Sequence, residues 1–222
     1  MTTFGGAKGR TIAVLMCIVL FCLWNVGIHV AAVLQAITLA WVHAVLFSAI
    51  YVVFLVLPLI VWGVLEGWIC ETGRRTLRLP QTDLVVLALT AVACLYTVGV
   101  MKLVHLPLQT GLPHLQALLH SARGVSLASN VLFEEISCRA LLLVRLSLSS
   151  NAVIGTCLAA ILFAAFHVPA WRSLGFGWHF ICLRSGLNIF YGVLLGAITL
   201  RSGSIVYPTL LHFVNDAFLS VV

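Results

Sequence analysis

Between Thr11 and Leu65 the chain runs for about 55 residues without a single Lys, Arg, Asp or Glu, long enough for two bilayer crossings of roughly 20 residues each. Every backbone amide in such a segment must find its partner within the segment, so the run is expected to be helical. Composition extends this to the rest of the chain. With 62% hydrophobic and 8% charged residues over 222 positions, it is far from the roughly 25% charged content of soluble domains. The expected fold is therefore all-α: one integral-membrane domain over 1–222, a polytopic transmembrane helix bundle of seven or eight spans.

Twelve Lys and Arg against six Asp and Glu give a net charge of +6. A nucleic-acid partner is not indicated, because no basic patch with interleaved aromatics occurs and the cations sit mostly between apolar runs, where they act as topology signals. Seven cysteines, at 17, 22, 70, 94, 138, 157 and 182, form no CxxC pair. They predict neither a disulfide framework nor a thiolate metal site.

Met1 to Arg10 is a short polar start leading into an apolar run too long for a signal-peptide core, so it reads as a first anchor. The first hairpin is expected to turn near Ala40 to His43, with Asn25, His29, Gln35 and His43 as interhelical or interfacial polar groups. The stretch from Glu66 to Asp83 contains Arg74, Arg75 and Arg78 and is expected on the cytoplasmic side. A third span, Leu84 to Val104, completes the N-terminal spans of 1–104. The segment that follows, with His105, His114 and His120, reads as an interfacial or re-entrant connection.

A fourth span lies within Ser126 to Leu146, a fifth runs from Ala152 to His167, a sixth from about His179 to Leu200 and a seventh from Ile205 onward. Pro169 is expected to place His167 in the last turn of the fifth, near a membrane surface, with a loop from Ala170 to Trp178. Gly192 and Gly196 form a small-xxx-small pair suited to close helix approach. If the N-terminus is inside, Lys8, Arg10, Arg74, Arg75, Arg78, Arg145 and Arg201 fall on the inner side, against Lys102, Arg123 and Arg172 outside. This balance favours a cytoplasmic N-terminus and an external C-terminus.

The fourth span carries charges that need a purpose, since each costs about 3 kcal/mol at the centre of a membrane helix. Glu135 and Arg139 are four apart and favourably ordered for a pair. Glu134 points roughly 100° away and shares its face with Ser126, Asn130 and Cys138. Low dielectric disfavours the charged form of a carboxylate, which is how a glutamate becomes a general base or acid near neutral pH. Glu134 is thus the first candidate catalytic residue. His167 on the fifth span, and His212, Asn215 and Asp216 on the seventh, supply further ionisable or hydrogen-bonding groups. A carboxylate, imidazoles and donors gathered in a membrane cavity are suited to adding water across an amide.

These residues resemble the CPBP family of CAAX prenyl proteases and bacteriocin-processing enzymes, glutamic-type intramembrane peptidases. Glu134, Glu135 and Arg139 resemble its EExxxR motif, Phe163 and His167 its FxxxH, and His212 and Asp216 its HxxxN or HxxxD. Phe190 to Gly196, Ser202 to Ser204 and Pro208 resemble the glycine-rich lead-in, turn and proline between them. The resemblance covers a catalytic core of about 120–222. It implies cofactor-free hydrolysis of a peptide bond in a membrane-anchored protein or peptide, at a bacterial inner (cytoplasmic) membrane. Glu134 and His167 would activate water, while His212 and Asp216 would stabilise the oxyanion, with Glu135, Arg139, Asn130, Cys138 and Asn215 in support.

Two departures stand out. Cys138 occupies a position that is often aromatic in the family and, on the Glu134 face, is expected to line the cavity. Asp216 replaces the commoner Asn. An ionised Asp cannot donate to an oxyanion, so it must be protonated or orient His212. The competing readings are a zinc hydrolase using His167, His212 and Glu134, although HExxH is absent, and a non-catalytic immunity or transport protein. A myxosortase-like role, cutting a C-terminal sorting helix near the outer leaflet, is the expectation for substrate.

Overall fold

The computed structural model describes residues 7–35, 40–66, 80–103 and 121–219, and among these it contains helices and no strand. Helix α1 spans Ala7–Gln35. Helix α2 (Ala40–Tyr51) continues through a π-helical turn, Val52–Val56, into α3 (Leu57–Glu66). After α4 (Leu84–Leu103) comes a second continuous rod: α5 (Ala122–Glu135), a π-helical segment Ile136–Leu143, and α6 (Val144–Ser149). Helices α7 (Ala152–Ser173), α8 (Trp178–Ser202) and α9 (Val206–Leu219) complete the fold.

The helix ends follow from short polar side chains placed where backbone amides would otherwise lack partners. Asp83 Oδ1 accepts from the Val86 amide at 2.9 Å, Ser121 Oγ from Gly124 at 3.1 Å and Asn151 Oδ1 from Ile154 at 2.9 Å. Gly203, at φ +68°, ends α8 in the left-handed conformation that a side chain would disfavour.

Helices α7 and α8 are long and apolar enough to cross a membrane; α1, α2–α3 and α4 contribute shorter apolar stretches over Thr11–Gly27, Ser48–Val64 and Leu84–Val100. Large apolar side chains such as Leu95 and Val153 lie on the outside, 72% and 73% exposed, as expected of an integral membrane protein whose solvent is lipid. α7 and α8 form a tight antiparallel hairpin. A Cβ on Gly192 would stand 3.0 Å from that of Ala160, and one on Gly196 would stand 2.8 Å from Thr156 Cγ2. The small-xxx-small pair therefore acts as the sequence suggests, letting backbones approach.

Two apolar clusters flank the middle of the bundle. One joins Leu20 and Trp24 of α1, Leu59 and Trp62 of α3, Leu142 of the π segment and Phe163 and Phe166 of α7. The other joins Val86 and Ala93 of α4 to Tyr191, Leu195 and Ile198 of α8. The polar residues of α5 and α9 meet between them.

Several boundaries differ from the sequence reading. Ala40 to His43 belong to α2, so the first hairpin does not turn there. α7 runs through Pro169 to Ser173, which puts His167 more than a turn inside the helix and confines the connection to 174–177. A proline in a membrane helix removes one hydrogen bond, but abandoning the helix there would strip several more amides of partners. Arg145 is wholly buried, donates to Ser149 and lies 5.2 Å from the Trp62 ring centre. It is a core residue and leaves the inner-side cation count. Arg74, Arg75, Arg78, His105, His114 and His120 lie outside the described residues.

Candidate active site

The site forms where α5, α7 and α9 converge. The switch from α to π pattern begins immediately after Glu135, and such π segments are frequent at functional sites because their wider turn re-aims side chains. Here it follows two adjacent carboxylates that take different partners.

Glu134 Oε2 stands 3.8 Å from His167 Nε2 and 3.7 Å from His212 Nε2. Both gaps exceed a direct hydrogen bond and are of a size that one shared water oxygen spans. His167 is oriented by its other nitrogen: Nδ1 lies 2.8 Å from the Phe163 carbonyl one turn back. A carbonyl only accepts, so Nδ1 carries the proton and Nε2 faces Glu134. The Phe163 ring meets both imidazoles edge-on, with centroids 4.7 Å from His167 and 5.6 Å from His212.

Glu135 is completely buried and does more than pair along its own helix. Its Oε1 lies 3.3 Å from Arg139 Nη1 and also accepts from His212 Nδ1 at 2.8 Å. The Arg139 guanidinium in turn lies 4.2 Å from the centre of the Phe163 ring. Charge on Glu135 is thereby shared between a cation and an imidazole, the arrangement a buried carboxylate needs to offset its desolvation.

On α9, Asp216 Oδ2 lies 3.5 Å from His212 Nε2. Asn215 donates from Nδ2 to Asp216 Oδ1 at 3.1 Å, and its own Oδ1 lies 3.0 Å from the hydroxyl of Thr97 on α4. A chain of contacts thus runs from the N-terminal spans into the site: Thr97, Asn215, Asp216, His212. Sequence reasoning passed over Thr97, which with Thr90 is one of two threonines in an apolar helix. The sole available hint was a hydroxyl in a crossing, where polar groups usually bond a neighbouring helix.

A cavity of about 190 Å³ opens beside these groups, lined by His167, His212, Asn215 and Asp216 together with Arg184, Asn188 and Tyr191 of α8. Of the five supporting residues only Asn215 is on its wall, and Glu134 itself is not among the lining residues; Glu135 and Arg139 lie behind His212. Cys138 is 1% exposed and packs into the apolar cluster with α1, α3 and α7. Side chains of α1, α3 and α7 cover it there, which corrects the expectation that it lines the cavity. Asn130 sits one turn before Glu134, half-buried, its Oδ1 without a hydrogen-bond partner.

Residues 122–218 match a family model described as Type II CAAX prenyl endopeptidase Rce1-like. This bears out the CPBP resemblance and reaches no further, to the myxosortase-like branch. No curated protein and no solved structure matches the chain.

Proposed function

Since the chain carries, over residues 122–218, a region of the Rce1-like CAAX prenyl endopeptidase family, we propose that it is a glutamic-type intramembrane endopeptidase acting on a membrane-associated protein or peptide. The observation that carries the reading is Glu134 facing the Nε2 atoms of two cavity-lining histidines at 3.8 and 3.7 Å. Glu134, assisted by His167, takes a proton from a water held among these atoms, and the hydroxide adds to the scissile carbonyl carbon. His212 in its imidazolium form donates from both nitrogens, from Nδ1 to Glu135 and from Nε2 to the new oxyanion. Glu134 then passes its proton to the departing amine as the C–N bond breaks.

In this scheme Asp216 orients His212 and is itself held by Asn215, a reading supported by the Asn215 donor bond to Asp216 Oδ1. Glu135 fixes the direction of His212 and stabilises its imidazolium, the part a buried carboxylate plays behind the histidine of a hydrolytic triad. The chemistry is proposed to need no metal. We further propose seven crossings with a cytoplasmic N-terminus, in a bacterial inner membrane. Cysteine labelling that placed His167 on the cytoplasmic side would overturn that layout.

The decisive variant is Glu134→Gln, which keeps size and removes the base. Comparison of C-terminal processing across the membrane proteome should show cleavage lost by about 100- to 10,000-fold, with protein level and melting unchanged. Processing that continued at the wild-type rate would refute the scheme. Chelator should leave the wild-type rate intact, and loss on chelation with recovery on added zinc would favour the zinc alternative.

A further inference from the structure

In the mechanism proposed above a single donor, His212 Nε2, meets the oxyanion. Asp216 Oδ2 lies 3.5 Å from that same nitrogen, and an ionised carboxylate has no proton to offer and repels a second negative charge. Asn215 already directs Nδ2 to Asp216 Oδ1. A further neutral donor at this end of the cavity would therefore matter.

Tyr191 of α8 supplies one. It lines the cavity with His212, Asn215 and Asp216, is 3% exposed, and holds its ring 6.2 Å from the His212 ring at an interplanar angle of 75°. The ring also stacks on Tyr96 of α4, with centroids 5.2 Å apart and planes 15° from parallel. Tyr96 is fixed in turn, since its hydroxyl donates to the Leu187 carbonyl at 2.7 Å. The Tyr191 hydroxyl is buried and makes no hydrogen bond among the described residues. Thr97 stands beside it, but the one proton of that hydroxyl goes to the Ala93 carbonyl or to Asn215 Oδ1. A buried phenol without a partner is less stable than the phenylalanine that would pack in its place, so packing alone does not account for the oxygen. Asn188 and Arg184, the other donors of α8 on the wall, lie about one and two turns away along the helix.

We propose that the Tyr191 hydroxyl is the second oxyanion donor of the site, acting with His212 Nε2. The inference rests on the peptidase reading above and adds a residue that touches the reacting atoms. As hydroxide adds to the carbonyl carbon, the π electron pair moves to oxygen and the phenol O–H hydrogen-bonds to it. Tyr191 keeps its proton throughout, and the bond weakens again when the carbonyl reforms and C–N breaks. A neutral phenol suits a site that already holds Glu134, Glu135 and Asp216, because it adds a donor without adding charge. A contact that strengthens only as the oxygen becomes charged acts on kcat more than on KM.

The test uses the full chain in phospholipid vesicles with a pool of N-acylated octapeptides of mixed sequence, the products read by mass spectrometry. The peptide cut best is then compared with its phosphinate analogue, in which a tetrahedral phosphorus bearing a charged oxygen replaces the scissile carbonyl. Tyr191→Phe should lower kcat by about 100-fold or more, leave KM within about twofold and melt no lower than wild type. Its Ki for the phosphinate should rise by about the factor that kcat falls. 3-Fluorotyrosine at position 191, which keeps both ring and hydroxyl, should restore both values. If Tyr191→Phe cut at the wild-type rate while Glu134→Gln did not cut, the donor assignment would fall and the peptidase would stand. A lower kcat with phosphinate affinity unchanged would also overturn the assignment and leave Tyr191 a packing residue between α4 and α8. No Glu134-dependent cutting of any peptide would sink both proposals.

Discussion

Two places in this bundle join a carboxylate to an arginine from the same small stock of charges, and they differ in almost everything else. Glu135 and Arg139, with side chains 0% and 3% exposed, meet at 3.3 Å behind His212. Asp83 and Arg201, 42% and 55% exposed, meet at 2.6 Å where α4 begins and α8 ends. The shorter pair is the weaker contributor, since exposed charges are stabilised by water whether or not they touch. The longer, buried pair has no such alternative, and removing one partner strands the other. Burial, more than contact distance, decides which pair the molecule depends on.

The sharpest way to break this contrast is Arg139→Met. It should leave Glu135 with only His212 for compensation, lower stability by about 3–5 kcal/mol and abolish processing, read by thermal melting in detergent beside an activity assay. If Arg139→Met melted like wild type, burial would not be what separates the two pairs.

A smaller effect is expected at Thr97, at the far end of the contacts leading to His212. Thr97→Val leaves Asn215 Oδ1 buried without its donor, at a cost of about 1–3 kcal/mol. As a positioning residue it should lower kcat several-fold with little change in KM and shift the pH–rate profile through Asp216 and His212, while Thr97→Ser restores both. A purely structural threonine would lower melting without moving the pH profile.

The smallest effect belongs to the exposed pair. The Val86 amide, and then the Arg201 guanidinium, hold the Asp83 carboxyl below its ordinary value of 3.8. A carboxylate so lowered contributes stability above that ordinary value and loses it as pH falls through the lowered one. Asp83→Asn should therefore melt slightly below wild type at pH 7 and indistinguishably from it in strong acid. A difference that grew on acidification would reverse the sign and remove Asp83 from the account.

Much of the site was legible because charge in an apolar run is conspicuous. Glu134, Glu135, Arg139, His212 and Asp216 stand out in a chain with so few charges, and i,i+4 spacing alone predicts that Glu135 can reach Arg139. The same reasoning stopped at each helix. It could not show that Glu135 also meets His212, 77 positions away, because that contact exists only once α5 and α9 pack. It sent Cys138 to the cavity because spacing along one helix does not say which neighbours cover a side chain, and here α1, α3 and α7 do. It counted Arg145 as a loop cation, since a charge near a predicted turn looks solvated until its surroundings are seen.

What the amino-acid order determined by itself was therefore one-dimensional: a helical membrane chain, the close-packing glycines of α8 and the identity of the chemically capable side chains. Those follow from hydrophobicity and local hydrogen bonding, which act between near neighbours. Only the tertiary structure decided which carboxylate faces two imidazoles and which is held behind one. It alone brought Thr97 of α4 to the site and Arg184 of α8 to the cavity wall. Such choices depend on how helices rotate and cross, and that is set by side-chain packing across the bundle.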